Sequence, residues 1–134
     1  MLQVIDHALI EAARDAIRKR YKADWHAVGC ALRTSSGRVH VGVHLECYVG
    51  RIAVCAEAVA IGRAVTDGDD DIEVIVAVRQ SAADDDFPAV VAPCGMCREM
   101  ISDYAPQARI IMPTDDEPEL ASIASLLPRR YRRS

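Results

Sequence analysis

The sequence has 134 residues, of which 51% are hydrophobic and only 4% aromatic, and its formal net charge at pH 7 is −4. This length suits one packed core, so we expect a single domain over residues 1–134. The acidic balance gives no general reason to bind nucleic acid or anionic membranes, and we expect neither as a partner. We expect no signal segment and no membrane span, and the five cysteines favour reduced thiols over disulfides. We therefore expect a cytoplasmic protein.

The first half of the chain is expected to pass from a helix through a hairpin to a second helix. Apolar residues recur at helical spacing near the N-terminus, and two β-rich runs flank a turn at Gly37. The expected elements are a helix over 2–20, strands over 27–33 and 38–45, a loop over 44–54 and a helix over 55–65.

The second half alternates strands and helices. The pattern predicts strands over 72–78, 88–92 and 108–112, a solvated loop over 81–87, and helices over 94–104 and 119–127. A hairpin followed by alternating strands and helices predicts an α/β fold, in which helices cover both faces of a mixed sheet.

Two short motifs carry the chemistry, and each lies where a predicted helix begins. In Pro93-Cys94-Gly95-Met96-Cys97, the Cys-x-x-Cys spacing brings two sulfurs close enough to bind one Zn²⁺. The free amides and the dipole of a helix N-terminus favour thiolate over thiol. Alone, this motif fits half of a structural zinc site or a redox dithiol equally well.

The second motif, Cys55-Ala56-Glu57, supplies a third sulfur and a carboxylate. Three protein ligands leave one position of a tetrahedral zinc open, which is typical of catalytic sites. Zinc lowers the pKa of a water in that position to about 7, and Glu57 is a suitable proton carrier beside it. A redox dithiol would leave Cys55 and Glu57 unexplained, and Cys30 and Cys47 are expected to be inert.

The pattern H-x-E…P-C-x-x-C, with Cys allowed for His, is the zinc deaminase signature. With these motifs, the sequence resembles the cytidine deaminase family and, within it, the blasticidin S deaminases. The resemblance extends to the predicted hairpin over 26–43 and to Leu126-Leu127-Pro128 followed by Tyr131. It implies a three-layer α/β/α sandwich, one zinc per chain held by Cys55, Cys94 and Cys97, and a homotetramer.

The resemblance also implies the reaction. Glu57 would carry protons from water to ring N3 and then to the leaving ammonia, so that the 4-amino group of a cytosine nucleoside becomes a 4-oxo group. The backbone amide of Ala56 would donate to the base carbonyl. Cytidine or deoxycytidine and blasticidin S remain close alternatives as substrates, and a noncatalytic zinc-binding module of the same fold remains the alternative outside enzymes.

The sequence departs from cytidine deaminases in the region expected to bind the sugar. Glu46 keeps the family position, but His44 replaces the usual Asn and His26 replaces a common Phe. All three are candidate substrate contacts, and Tyr131 is a candidate base-stacking residue, donated by a neighbouring subunit. The arginine that often follows the catalytic glutamate is Ala58 here. We therefore expect helix N-termini, helped by Arg98, to stabilise the net negative charge of three thiolates and Zn²⁺.

Overall fold

The computed structural model describes residues 1–133, so the last residue of the expected domain, Ser134, lies outside the described residues. Helices and strands follow one another much as the sequence pattern predicts. The helices are α1 (Val4–Arg18), α2 (Ala56–Thr66), α3 (Gly95–Tyr104) and α4 (Ile123–Leu126). The strands are β1 (Val28–Thr34), β2 (Val39–Val43), β3 (Ile72–Arg79), β4 (Ala89–Val91), β5 (Arg109–Met112) and β6 (Glu119–Ser122).

The strands form one mixed sheet in the order β2-β1-β3-β5-β6, with β4 paired to the end of β3. β3 and β5 run parallel, and the other pairs are antiparallel. In the register of β1 and β3, Val28 at the start of β1 lies opposite Arg79 at the end of β3. This pairing brings residues that are far apart in sequence to the same edge of the sheet.

Alternation along the strands divides the core into two layers. In β1, Cys30 and Leu32 belong to the cluster that packs with α2, α3 and α4, whereas Ala31 belongs to the cluster that packs with α1. Successive strand side chains point to opposite faces, which produces this division. The sheet is therefore covered on both faces by helices, and the α/β/α expectation is confirmed.

Gly42 in β2 allows α2 to approach the sheet closely. A Cβ atom at this position would lie 2.7 Å from the backbone nitrogen of Ala60 and 2.8 Å from the carbonyl oxygen of Ala56. Both distances are shorter than side chains tolerate, so a larger residue would push away the helix that carries Glu57.

The expected final helix over 119–127 is wrong in its first half. Glu119–Ser122 instead forms β6, which pairs antiparallel with β5 from Met112↔Glu119 to Arg109↔Ser122. The Ser122 hydroxyl then accepts a hydrogen bond from the backbone amide of Ser125 at 3.2 Å and caps the short helix α4. Pairing with a distant strand overrides the local helical pattern.

The predicted loop over 44–54 contains a 3₁₀ turn at Gly50–Ile52, and Leu45 forms an isolated bridge with Val54. The other predicted elements occur with boundaries within two residues of those expected. Within residues 1–133, every helix falls short of the length and apolarity that crossing a bilayer requires.

Candidate metal centre and substrate pocket

Three cysteines meet where α2 and α3 begin. Cys55 is the N-cap residue of α2, Cys94 is the N-cap residue of α3, and Cys97 follows in the first turn of α3. Both N-caps have extended backbone dihedrals, which turn the chain sharply into each helix. The two helix starts therefore face each other with a sulfur on each.

The spacing of the sulfur atoms fits a tetrahedral metal ion. The Sγ atoms of Cys55, Cys94 and Cys97 all lie within 4.8 Å of one another, and those of Cys55 and Cys94 are 3.8 Å apart. Sulfurs bound at about 2.3 Å around one tetrahedral Zn²⁺ are separated by about 3.8 Å. A disulfide needs an S–S distance near 2.05 Å, so this pair is not one. The donor set fits zinc with one position left for a non-protein ligand.

The three thiols differ in pKa because their burial and hydrogen bonds differ. Burial raises the pKa of Cys55 and, more strongly, that of Cys97. Burial also opposes ionisation of Cys94, but hydrogen bonds from the Cys97 backbone and from the neighbouring thiols outweigh it, so the pKa of Cys94 lies below its usual value. Cys97 is only 3% exposed. A cation is needed to hold all three sulfurs as thiolates in such a setting.

Glu57 lies against this cluster and is itself buried, with 5% of its surface exposed. Burial raises the pKa of its carboxyl group, while its own backbone amide, the Cys97 thiol and the nearby His44 oppose that rise. A carboxyl group with a raised pKa exchanges protons more readily near neutral pH. The arrangement therefore places a carboxyl group with a raised pKa beside the sulfur cluster.

A pocket of about 210 Å³ opens onto Glu57 and the sulfurs of this cluster. Its lining is mostly apolar and comes from five short segments: Val28, His44, Cys55, Ala56, Glu57, Val91, Ala92 and Cys94. Pockets for drug-sized ligands usually have about 300–1,000 Å³, so this inner pocket suits a single ring rather than a whole nucleoside. Val28, Val91 and Ala92 were not expected from the sequence, since apolar residues at strand ends carry no motif.

A second, more polar pocket of about 480 Å³ shares Val28 and His44 with the inner one. Its other lining residues are Asp24, Trp25, Ala27, Glu46 and Arg79. We call this the outer pocket. Glu46 lies here and accepts a hydrogen bond from the Cys47 amide at 2.9 Å. Trp25 and Arg79 were also missed, although the Val28↔Arg79 pairing explains how Arg79 reaches this place.

His26 and Tyr131 lie outside both pocket linings in this chain. The His26 Nδ1 atom is 2.7 Å from the carbonyl oxygen of His44, so His26 supports the His44 backbone. Tyr131 is 79% exposed and lines a surface cleft with Glu99, Asp103 and Tyr104 instead. The expected substrate contacts of both residues remain predictions.

Three further residues from the sequence analysis can be placed. Cys30 is fully buried in the core, and burial raises the pKa of its thiol well above the usual value, whereas Cys47 is partly exposed. The Arg98 side chain donates to the carbonyl oxygens of Pro93 and Leu126, each at 3.0 Å. Arg98 thus contacts backbone oxygens near the cluster, and its expected support of the thiolate charge remains a prediction.

Comparison with known proteins agrees with this geometry. A family model described as the cytidine and deoxycytidylate deaminase zinc-binding region matches residues 3–113. Blasticidin-S deaminase of Bacillus cereus is 44% identical over 131 residues, which cover 96% of this chain and 94% of that protein. A cytidine deaminase of Sporosarcina psychrophila is 31% identical over 103 residues, covering 75% and 71% of the two chains.

Solved structures show the same relationship. The cytidine deaminase of Mycobacterium leprae superposes with a TM-score of 0.78 at 26% identity, covering 95% of this chain and 100% of that one. That of Burkholderia pseudomallei gives a TM-score of 0.76 at 29% identity, covering 93% and 98%. The expected family, fold and zinc cofactor are thereby confirmed. The chain belongs to the cytidine and deoxycytidylate deaminase family and is a zinc-dependent hydrolase.

Proposed function

We propose that this protein hydrolyses the 4-amino group of a cytosine nucleoside or cytosine nucleoside analogue, giving the 4-oxo ring and ammonia. The observation that carries this proposal is the buried Glu57 beside three clustered sulfurs, at the base of a pocket that suits one ring. Cys55, Cys94 and Cys97 would hold the zinc. When bound, zinc supplies the Lewis acidity that makes water a nucleophile near neutral pH.

In this proposal Glu57 performs the proton transfers. Its carboxylate takes a proton from the attacking water and delivers it to N3 of the ring, which prepares C4 for addition of the water oxygen. Glu57 then takes the proton of the hydroxyl group on C4 and delivers it to the amino nitrogen, so that C4=O forms, the C4–N bond breaks and ammonia leaves. The raised pKa of Glu57, caused by burial, suits a group that must both accept and release protons.

The pocket walls would orient the ring for these steps. Val28, Val91 and Ala92 give the inner pocket an apolar lining that excludes water from the ring faces. The backbone amide of Ala56, at the start of α2, would donate to the base carbonyl. Orientation of this kind converts part of the binding energy into rate.

Blasticidin S is the analogue that we favour, because the relative that matches nearly the whole chain is a blasticidin-S deaminase. The test is a deamination screen over cytidine, deoxycytidine, free cytosine and blasticidin S, followed by ultraviolet absorbance, with Glu57→Gln as the inactive control. Turnover of any of these nucleosides by the wild type, and not by Glu57→Gln, supports the proposal. Full zinc occupancy without turnover of any of them would instead favour a noncatalytic zinc-binding module.

The outer pocket would contact the sugar or its equivalent through His44 and Glu46. We expect Glu46→Ala to lower kcat/KM for the nucleoside and to change little for free cytosine, since remote contacts position the ring. Glu46→Gln is a useful control, because its amide oxygen can still accept from the Cys47 amide. If Gln retains the kcat/KM of the wild type, an acceptor at position 46 is sufficient and the negative charge of Glu46 is not required.

We also propose a homotetramer whose active sites lie near subunit interfaces. Large apolar side chains in the segment before Cys55 are exposed, including Tyr48, Val49 and Ile52, and Tyr131 is exposed on the tail. Exposed apolar patches commonly mark interfaces. Deleting residues 128–134 should raise KM and can weaken assembly, and kinetics with light scattering on one sample separate the two effects. A fully active monomer, indifferent to loss of the tail, would refute the shared site.

A cytoplasmic location, supported by five free thiols, is part of the same proposal.

A further inference from the structure

Arg98 holds both peptide groups that flank Cys94. Its Nε atom donates to the carbonyl oxygen of Pro93 at 3.0 Å, and its backbone amide donates to the carbonyl oxygen of Cys94 at 2.9 Å. These two carbonyls belong to the peptide groups before and after the Cys94 Cα atom. Together the two bonds restrict rotation about that atom, which has φ −69° and ψ 169°. The backbone bond is the ordinary i→i+4 bond of α3, so the bond to Pro93 is the part of this restraint that the Arg98 side chain supplies.

The same guanidinium group reaches the C-terminal segment. Its Nη1 atom donates to the carbonyl oxygen of Leu126, the last residue of α4, at 3.0 Å. The final carbonyls of a helix have no partner within the helix, so Arg98 satisfies one of them. A planar guanidinium with donors in fixed directions can hold two carbonyls at once, which an ammonium on a flexible chain does less well.

The C-terminal segment is held at a second point that does not involve the Cys94 turn. Arg130 Nη1 lies 2.8 Å from Asp103 Oδ1 and 3.7 Å from Glu99 Oε1, both on the later turns of α3. Arg98 and Arg130 thus fasten the same segment to the same helix, but only Arg98 also binds Pro93. This difference allows docking of the segment to be separated from placement of Cys94.

We propose that Arg98 is a positioning residue that fixes the Cys94 sulfur relative to those of Cys55 and Cys97, and that it couples the zinc site to the docking of α4. The inference rests on the assignment of these three cysteines as the zinc ligands. Arg98 acts through carbonyl groups and touches neither the substrate nor the sulfurs in this role. Loss of its side chain loosens the Cys94 turn while all three sulfurs remain in the chain.

The test compares Arg98→Met with Arg130→Met in the full-length protein. Zinc release is followed with a chromophoric chelator, and the visible absorption of cobalt(II)-substituted protein reports the ligand geometry. Groups that orient metal ligands are typically worth about 10–100-fold in metal affinity. We therefore expect Arg98→Met to release zinc about 10–100-fold faster and to shift the cobalt bands. Arg130→Met should leave the release rate within about twofold and the bands unchanged.

Arg98→Lys provides a graded variant in case the methionine variant folds poorly. The ammonium lacks the rigid fork of the guanidinium and holds two carbonyls less well, so we expect a release rate between those of the wild type and Arg98→Met. Wild-type release and spectra in both Arg98 variants would overturn the proposal. Equal acceleration by Arg98→Met and Arg130→Met would also overturn it, because docking of the segment alone would then explain the effect.

The readouts keep this proposal distinct from the proposed function. Neither the release rate nor the cobalt spectrum requires a substrate, so a failed deamination screen leaves both measurements intact. A wild-type cobalt spectrum without thiolate-to-metal charge transfer would overturn the ligand assignment and the positioning role with it. Deletion of residues 128–134 retains the Leu126 carbonyl and should leave the cobalt bands in place.

Discussion

The two ends of α2 handle their hydrogen-bonding groups in opposite ways. At the N-terminal end, Cys55 occupies the N-cap position without accepting a side-chain hydrogen bond from the first turn. At the C-terminal end, the Gly68 amide donates to the Val65 carbonyl and the Asp69 amide donates to the Ala64 carbonyl, each at 3.0 Å. This is a complete Schellman motif, with Gly68 at φ +70°.

The carboxyl groups near the two ends of α2 have pKa values shifted in opposite directions. Burial raises the pKa of Glu57 at the N-terminal end. A hydrogen bond from His40 lowers the pKa of Asp69 beyond the C-terminal end, and the Thr34 hydroxyl adds to this effect, with both donors 2.8 Å from Asp69 Oδ2. One carboxyl group is thus desolvated, and the other is surrounded by donors.

This contrast separates chemistry from stability along one helix. A thiol is a poor helix cap, so Cys55 stabilises the start of α2 less than Ser or Asp would. In exchange, its sulfur lies in the three-cysteine cluster. At the opposite end, the two hydrogen bonds of the Schellman motif terminate the helix. We therefore expect substitutions at the N-terminal end to change metal binding and turnover more than stability, and those at the C-terminal end to do the reverse.

The largest effect is expected for Cys97→Ser, which removes one of the three sulfurs of the cluster. Two thiolates and a hydroxyl bind zinc much less well than three thiolates, so most of the metal and the activity should be lost together. Elemental analysis of the purified protein measures this loss, with about one zinc per chain expected in the wild type. Cys47→Ser, outside the cluster, is the control and should keep its zinc. Retention of full zinc by serine variants at Cys55, Cys94 and Cys97 would contradict the assignment.

Glu57→Gln is expected to have the next largest effect. The amide fits the same space but cannot carry protons, so turnover should fall by about 10²–10⁴-fold. Zinc content and the free energy of unfolding should stay close to those of the wild type, which elemental analysis and urea denaturation check. A loss of less than tenfold at full zinc occupancy would mean that another group transfers the protons.

The residues that cluster at the N-terminal end of α2 could be predicted from the sequence. Cys55 and Glu57 lie two positions apart, and Cys94 and Cys97 three positions apart, each pair next to a predicted helix start. Known metal chemistry and the zinc deaminase signature then predict that the two pairs meet, although Cys55 and Cys94 lie 39 positions apart. The structure brings these four residues together as expected. Their chemical roles remain predictions.

Features that depend on pairing between distant segments could not be read from the sequence. Arg79 reaches the outer pocket because it pairs with Val28, far earlier in the chain. Residues 119–122 form a strand because β5 offers an edge, although their own pattern continues a helix. The hydrogen bond from Arg98 to the Leu126 carbonyl likewise joins segments that no local rule connects.

Gly68→Ala tests the C-terminal end of α2, where we expect substitutions to change stability more than turnover. A residue with a Cβ atom at φ +70° costs about 1–2 kcal/mol, so urea denaturation should show a loss of that order with unchanged kcat. Gly62→Ala is a matched control in the same helix, where an added Cβ meets nothing within 4 Å. There the same substitution should stabilise by about 0.5–1 kcal/mol, because alanine favours helix. Equal effects of the two substitutions would mean that Gly68 does not need its left-handed conformation.

The smallest effect is expected for Asp69→Asn and should depend on pH. The pKa of Asp69 in the folded protein is lowered from the usual 3.8, chiefly by His40, with Thr34, Ser36 and Arg38 contributing. A depressed folded-state pKa means that the carboxylate stabilises the fold above the unfolded-state pKa and stops doing so as the pH falls through the folded-state value. The variant retains Asp67, whose Oδ2 atom is 3.6 Å from His40 Nδ1, so His40 keeps one carboxylate neighbour. The difference in urea midpoint between the wild type and Asp69→Asn should therefore be largest near pH 6 and shrink steadily below pH 3.8, while turnover at pH 7 is unchanged. A difference that stays constant from pH 6 to pH 3 would show that the Asp69 carboxylate contributes through its shape rather than its charge.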